Sequence, residues 1–126
     1  IATISNGILV FVGFDPFDSI TEITKLTKKL LNYKIFNNSK GRVAHSVLEV
    51  GAEILLVPQV TLSVSTNKGL KPSFSGAASA EKGLDLFNAF KSHLEENYSR
   101  IQTGKFGANM SISLTNEGPI TYWFEA

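Results

Sequence analysis

The chain offers few ionisable side chains for catalysis. It has two histidines, His45 and His93, three aspartates and no cysteine. Sequence neighbours such as His45 and Ser46 do not normally meet as base and nucleophile, because the triad needs a base oriented by a third group. A metal site built on carboxylates is poorly supported as well, since Asp85 falls in a predicted helix. We therefore expect no metal and no cofactor. Any catalysis would depend on backbone donors, hydroxyl groups or the substrate itself.

A different kind of chemistry is indicated by residues 116–121 (Asn-Glu-Gly-Pro-Ile-Thr). A Gly-Pro pair is usually only a turn, because glycine adopts unusual dihedral angles and proline fixes φ. Here it lies between an alternating run at 110–114 and an aromatic run at 122–124, and both predict strands. A rigid turn with little side chain is suited to presenting backbone carbonyls to a ligand or to another subunit.

Length and composition indicate one globular domain over residues 1–126. Apolar residues make up 43% of the chain and charged residues 18%, which is typical of a folded protein with a core. No apolar run approaches the roughly 20 residues that cross a bilayer, and the lack of cysteine fits a cytoplasmic protein. A net charge of +1 argues against broad capture of nucleic acid but allows a local basic patch.

Hydrophobic patterns predict a mixed α/β domain. The apolar runs at 7–14 and 53–57 predict buried strands, and the runs at 31–36 and 46–50 predict shorter ones. A capping-box spacing from Ser19 to Glu22 predicts a first helix. A second helix is predicted from Ser79 or Ala80 to Tyr98, with Leu84 on its buried stripe. We expect these two main helices to cover a sheet or a barrel-like β core.

Two groups of lysines admit two interpretations each. Lys25, Lys28 and Lys29 fall opposite the apolar stripe of the first helix, where a solvated face is favoured over a phosphate site. Lys68 and Lys71 lie in a loop at 67–76 that is rich in Gly, Ser and Pro. That loop is either the rim of an anion site or a plain connection.

Four ordered blocks carry a resemblance that extends over essentially the whole chain. They are residues 58–62 (Pro-Gln-Val-Thr-Leu), 68–74 (Lys-Gly-Leu-Lys-Pro-Ser-Phe), 103–106 (Thr-Gly-Lys-Phe) and 116–121. With this spacing the chain resembles the D-aminoacyl-tRNA deacylases, formerly called D-tyrosyl-tRNA deacylases. The resemblance implies a single domain of that type, with the family's N-terminal strand missing before Ile1.

The resemblance also implies a function and a site. The enzymes are homodimers that hydrolyse the ester between a D-amino acid and the tRNA 3′ end. Gly118 and Pro119, joined by a cis peptide bond, would enter the partner's active site and exclude L side chains. Gln59 and Thr61, with the backbone N–H groups of Val60 and Thr61, would act on the ester, assisted by the 2′-hydroxyl of the terminal ribose. The pocket would be completed by Pro58, Val60, Phe74 and Phe106, and Lys68 and Lys71 are candidate tRNA contacts.

Departures from the family pattern leave two alternatives open. Pro58 and Val60 stand where the family usually has Ser and Phe. That block resembles a chirality-relaxed paralogue that removes L-alanine from mischarged threonine tRNA and has a trans Gly-Pro bond. The block at 116–121 resembles the D-specific type, which we favour. The second alternative is a non-catalytic nucleic-acid-binding homologue of the same fold.

Overall fold

The computed structural model describes all 126 residues, and a three-stranded parallel sheet lies at its centre. Its strands are β1 (Gly7–Val12), β4 (Glu53–Pro58) and β5 (Ile101–Thr103), arranged in the order β1-β4-β5. Leu9 pairs with Leu55, and Leu56 pairs with Thr103. The two long apolar runs therefore form neighbouring strands, as predicted. The burial predicted for the first run is wrong on one face: Val12 is buried in the core, whereas Phe11 points to the opposite face of the sheet and is 43% exposed.

The mixed α/β class is confirmed, but the barrel-like β core is wrong. The other two strands, β2 (Phe36–Asn37) and β3 (Val43–His45), form a separate antiparallel pair, and no closed barrel is present. A barrel would require the sheet edges to meet. Here β1 and β5 remain the outer strands of an open sheet.

Two helices pack together and build the core with the sheet. Helix α1 (Ile20–Asn32) begins with the predicted capping box, in which Ser19 N donates to Glu22 Oε1 at 2.8 Å and Thr21 N to Ser19 Oγ at 3.3 Å. Helix α3 (Ala80–Asn97) buries Gly83, Leu86, Phe87, Phe90 and Leu94. Leu84 is 41% exposed, contrary to prediction, because the row through Gly83, Phe87 and Phe90 faces the core and turns Leu84 outward.

Both short strands predicted between these helices differ from the structure. Helix α1 continues through Asn32, so only Phe36–Asn37 of the segment 31–36 becomes a strand. Residues 46–50 contain a helical turn, α2 (Val47–Val50), because Ser46 and Glu49 form a second capping box. Ser46 N donates to Glu49 Oε1 at 3.0 Å, and Gly51 ends the turn with φ of +66°.

The predicted strands at 110–114 and 122–124 are not formed within the chain. Residues 109–126 make no backbone–backbone hydrogen bond, and a strand cannot exist without a partner ladder. Leu114 and Trp123 of this C-terminal segment are 60% and 65% exposed. None of the three helices combines the length and the apolar character that crossing a membrane requires.

Candidate active site

A cavity of about 630 Å³ opens where β1 and β4 end. Val12 and Gly13 reach it from β1, and Pro58, Gln59 and Val60 reach it from β4. The carboxyl ends of parallel strands commonly form such a crevice, because the chain leaves the sheet there in diverging loops. The first sequence block, 58–62, is therefore positioned by the central strand of the sheet.

Close backbone packing fixes the floor of the cavity. Gln59 N donates to Val12 O at 2.7 Å and ties the end of β4 to the end of β1. A Cβ atom on Gly13 would lie 2.9 Å from Gln59 O and 3.1 Å from Leu62 Cβ. Only glycine permits this approach, so Gly13 holds residues 59–62 in place although it carries no side chain.

Aromatic rings form the apolar walls. Phe74 and Phe106 both line the cavity, the first from the loop after the 3-10 helix (Val60–Ser63) and the second from the segment after β5. Phe106 packs over α3, with its ring centroid 6.0 Å from that of Phe87. A Cβ on Gly83 would lie 3.1 Å from Phe106 Cζ, so this glycine also leaves room for the ring.

The polar groups at the cavity are amides and hydroxyls. Gln59 Nε2 donates to Thr61 Oγ1 at 2.7 Å, which orients the Gln59 amide. Thr61 is exposed and is not part of the lining, whereas Val60 is. Val60 and Thr61 begin the 3-10 helix, so their N–H groups have no acceptor within it. These donors can serve a substrate oxygen.

Carboxylates with shifted pKa values lie outside the lining. Burial raises the pKa of Asp18, whose Oδ2 accepts from Asp15 N at 2.7 Å. The hydrogen bond from Lys34 lowers the pKa of Glu49 to about 2. Hydrogen bonds from Ser5 lower the pKa of Glu53. The groups that line the cavity are instead apolar, amide and hydroxyl groups.

The Gly118–Pro119 turn lies on the surface, outside the lining of its own chain's cavity. The peptide bond is cis, the state that the resemblance implies, and Gly118 has φ of +122°. Asn116 closes the turn: its Oδ1 accepts from Ile120 N at 3.2 Å, and its Nδ2 donates to Thr121 Oγ1 at 3.3 Å. The turn is thus held by its own residues.

The loop at 67–76 contributes only one of its predicted residues to the cavity. Ser65 and Ser73 pair through two backbone hydrogen bonds of 2.9 Å and close the base of the loop. Lys68 and Lys71 lie between Ser65 and Ser73, are exposed and do not line the cavity. Phe74, which follows Ser73, does line it.

Several lining residues were missed by the sequence analysis. They come from the small residues before and within the first turn of α3 and from the segment after Phe106: Ala77, Ala78, Ser79, Ala80, Ala108, Asn109, Met110 and Ile112. Ala78 N donates to Phe14 O at 2.9 Å, which brings the first group to the end of β1. The only local signal was Ser79, which caps α3 by accepting from Lys82 N.

Comparisons with known proteins agree with this geometry. A curated protein of Hydrogenovibrio crunogenus named D-aminoacyl-tRNA deacylase is 41% identical over 99% of this chain and 87% of its own length. A protein of the same name from Legionella pneumophila is 42% identical over 97% of this chain and 84% of its own.

Two solved structures share the fold. The first, titled "c-Myc DNA Unwinding Element Binding Protein", superposes with a TM-score of 0.90 and 35% identity, over 95% of this chain and 82% of its own. The second is titled as a structural analysis of a probable eukaryotic D-amino acid tRNA deacylase. It has a TM-score of 0.70 and 20% identity over 84% of this chain and 77% of its own, which shows the fold alone.

The sequence model described as D-Tyr-tRNA(Tyr) deacylase matches residues 1–125, nearly the full length. Together with identities of about 41% across almost the whole chain, this match shows that the chain belongs to the D-Tyr-tRNA(Tyr) deacylase family.

Proposed function

We propose that the protein hydrolyses the ester of D-aminoacyl-tRNA and releases free tRNA and the D-amino acid. One observation carries the proposal: Pro58, Gln59, Val60, Phe74 and Phe106 come from three separate sequence blocks and line one cavity. The names of the curated relatives support the same reaction. Because the substrate belongs to translation, the protein would act in the cytoplasm.

The chemistry follows from the groups at the cavity. Water attacks the ester carbonyl, and the N–H groups of Val60 and Thr61 stabilise the negative charge on the carbonyl oxygen. Backbone donors of this kind contribute about 10²–10³-fold each to acyl transfer. The ester C–O bond then breaks, and the leaving ribose oxygen takes the proton that the attacking water gives up, relayed by the neighbouring 2′-hydroxyl. Gln59 and Thr61, joined at 2.7 Å, hold this side of the site in one geometry.

Selection for the D configuration is assigned to Gly118 and Pro119 of a second subunit. The turn is exposed and lies outside its own cavity, so a homodimer is the arrangement that would bring it to the substrate. A homodimer is also supported by the C-terminal segment 109–126, which presents unpaired backbone groups and exposed apolar side chains. Backbone carbonyls at the turn would bind the substrate's α-amino group and exclude an L side chain.

Binding of nucleic acid without catalysis is the second candidate. It is favoured by the 35% identical structure, which is named a c-Myc DNA unwinding element binding protein. It is also favoured by Pro58 and Val60 at positions where the family usually has Ser and Phe. This candidate predicts salt-dependent binding to nucleic acid and no ester turnover.

The test compares D-tyrosyl-tRNA with L-tyrosyl-tRNA as substrates of the purified protein, with release of free tRNA as the readout. Rapid hydrolysis of the D ester with the L ester spared is the expected result. Hydrolysis of neither ester would contradict the proposed reaction and favour the binding role. Hydrolysis of L-alanyl-tRNA(Thr) in place of D-tyrosyl-tRNA would identify the chirality-relaxed alternative.

A further inference from the structure

The outer face of α1 concentrates positive charge. Lys25, Lys28 and Lys29 are all exposed, and their spacing of three and four residues puts them on one side of the helix. The opposite side is held in the core by Ile23, Thr27 and the leucines that follow. The orientation of the lysines is therefore fixed by the packing of the helix. We call these three lysines the basic face.

The charge of the basic face is not balanced by neighbouring acids. The chain has twelve Lys and Arg residues and eleven Asp and Glu residues. Helix α1 contains three of the basic residues and only one acidic residue, Glu22. The remainder of the chain thus has nine basic and ten acidic side chains. Glu22 is engaged in the capping box with Ser19, and none of the three lysines forms an ion pair. An uncompensated cluster on a nearly neutral protein is a local binding surface for anions.

Aromatic rings continue this surface at the end of α1. Lys29 Nζ lies 5.9 Å from the Tyr33 ring centroid and 5.2 Å from that of Phe124. Tyr33 also packs against Tyr122 with a centroid distance of 5.9 Å. A shallow, open surface depression of about 430 Å³ is lined by Lys25, Lys28, Lys29, Asn32 and Tyr33. Tyr33 is 40% exposed and lies outside the segment 109–126. Lysines beside an exposed aromatic ring are a combination that nucleic-acid-binding surfaces use, because phosphates meet the charges.

Helix α1 starts a short loop after the cavity wall. Phe14, which lines the cavity, is only a short loop away from the start of α1 at Ile20. Lys82 Nζ from the first turn of α3 donates to Pro16 O and holds that loop against the α3 end that lines the cavity. A helix rises about 1.5 Å per residue, so Lys25 and Lys29 lie about 8 and 14 Å along α1 from its start. The start of α1 is therefore tied to the cavity wall, and the basic face lies further along the helix.

We propose that the basic face binds backbone phosphates of the tRNA substrate, on the nucleotides that follow the end held in the cavity. The inference rests on the proposed function, which supplies the identity of the RNA and places its 3′ end. The lysines act as phosphate contacts and Tyr33 holds Lys29 in position. They position the RNA and take no part in the chemical step.

The test uses the triple variant Lys25→Gln, Lys28→Gln and Lys29→Gln. Glutamine keeps the helical propensity and the length of the side chain while it removes the charge. The matched control, Lys40→Gln, Arg42→Gln and Lys91→Gln, removes the same total charge from positions off α1. Thermal unfolding of both variants checks that the fold is retained, as expected for side chains without ion pairs.

The first measurement is the affinity for deacylated tRNA as a function of salt, which does not depend on catalysis. We expect the α1 variant to lose about ten-fold or more in affinity near 0.1 M salt. The slope of log K against log salt should fall by up to about 3, since each phosphate contact contributes about 0.7 to 0.9. The control should resemble the unchanged protein. Equal affinity and slope in the two variants would overturn the proposal.

The second measurement separates this inference from the proposed reaction. KM for D-tyrosyl-tRNA should rise in the α1 variant with kcat retained, whereas hydrolysis of the short ester D-tyrosyl-adenosine should not change. The unchanged protein could hydrolyse neither ester while the α1 variant still binds tRNA more weakly than the unchanged protein does. In that case the proposed reaction is wrong, but the basic face is retained as an RNA-binding surface. If instead the α1 variant loses affinity only for polyglutamate and not for tRNA, the face binds acidic protein and the proposal fails.

Discussion

The cavity walls and the Gly118–Pro119 turn are held in place by different parts of the molecule. The walls are positioned by the core, because the hydrogen bond of 2.7 Å from Gln59 N to Val12 O extends the pairing of β1 and β4. The turn belongs to residues 109–126, which make no backbone–backbone hydrogen bond, and only the side chain of Asn116 closes it. One region is positioned by the fold and the other by local contacts.

Under the proposed function, this difference would assign charge stabilisation to the wall and selection to the turn. A wall that is part of the core can keep its donors in one geometry, as stabilisation of a developing charge requires. A turn that is independent of its own core can project into a second subunit without disturbing the sheet. Substitutions should therefore separate the two regions, because wall changes affect stability and activity together and turn changes affect activity alone.

The largest expected effect is on activity and comes from the turn. Gly118→Ala should reduce kcat/KM for D-tyrosyl-tRNA by about 100-fold or more, as misplacement by about 1 Å can do. At φ of +122° an added Cβ would lie 2.6 Å from Ile120 Cγ1 and 3.0 Å from Ile120 N. Pro119→Ala should have the same consequence by removing the ring from the turn.

The strain of Gly118→Ala should stay within the turn, so both variants should unfold within a few degrees of the parent, because the turn is exposed and makes no backbone–backbone hydrogen bond to the core. Calorimetry beside the deacylation assay provides this control, and size-exclusion chromatography compares the oligomeric state of the variants with that of the parent. Full activity in both variants would show that the turn is not the chiral filter.

A substitution in the cavity wall should lower the stability of the fold as well as the activity. Gly13→Ala places a Cβ 2.9 Å from the backbone oxygen of Gln59, which cannot move without disturbing β4. We expect a loss of about 1–3 kcal/mol in the free energy of unfolding together with a fall in kcat/KM. Urea denaturation measures the first quantity.

Gly104→Ala is the matched control for this change. There the added Cβ would lie 2.9 Å from Met110 Sδ, near the end of a flexible side chain that can rotate away. A cost below about 1 kcal/mol is expected. Equal costs at Gly13 and Gly104 would mean that the backbone contact does not hold the wall.

A smaller effect is expected at Asn116. Asn116→Ala removes the acceptor for Ile120 N and the donor for Thr121 Oγ1. A hydrogen bond contributes about 0.5–1.5 kcal/mol, so kcat/KM should fall by about five- to ten-fold with no change in stability of the core. Asn116→Asp keeps the acceptor, so its kcat/KM should lie between that of the parent and that of Asn116→Ala. A destabilised fold in either variant would show that the turn is coupled to the core after all.

The smallest effect lies outside both regions, at Glu49 of α2. The hydrogen bond from Lys34 lowers its pKa to about 2 from an ordinary value of 4.5. The ionised form thus favours the folded state above about pH 4.5, and this contribution is lost as the pH falls towards 2. The effect is small because the pair is open to solvent.

Glu49→Gln should therefore lower the melting temperature slightly at pH 7, with the difference from the parent vanishing near pH 2. Deacylation at pH 7 should be unchanged, since α2 does not line the cavity. A melting difference that grows towards low pH would contradict this assignment of the pKa shift.

Local sequence patterns predicted the secondary structure correctly where contacts between residues close in sequence determine it. The capping box at Ser19 and Glu22 formed as predicted, and the two long apolar runs became β1 and β4, although Phe11 of β1 is exposed. The same reasoning failed at residues 46–50, where the Ser46–Glu49 capping box outweighed the apolar run and gave a helical turn. It also failed at 110–114 and 122–124, where alternation predicts strands but the chain supplies no partner.

The sequence by itself determined the family, the main helices and strands, and five of the nineteen residues that line the cavity. Those features depend on residue types, spacing and periodicity, which can be observed along a single chain. The open sheet in place of a barrel, the glycine contacts at Gly13 and Gly83, and the lining from Ala77 to Ala80 were decided only by tertiary structure. They depend on which backbone atoms approach each other across long sequence separations, and no local pattern records those distances.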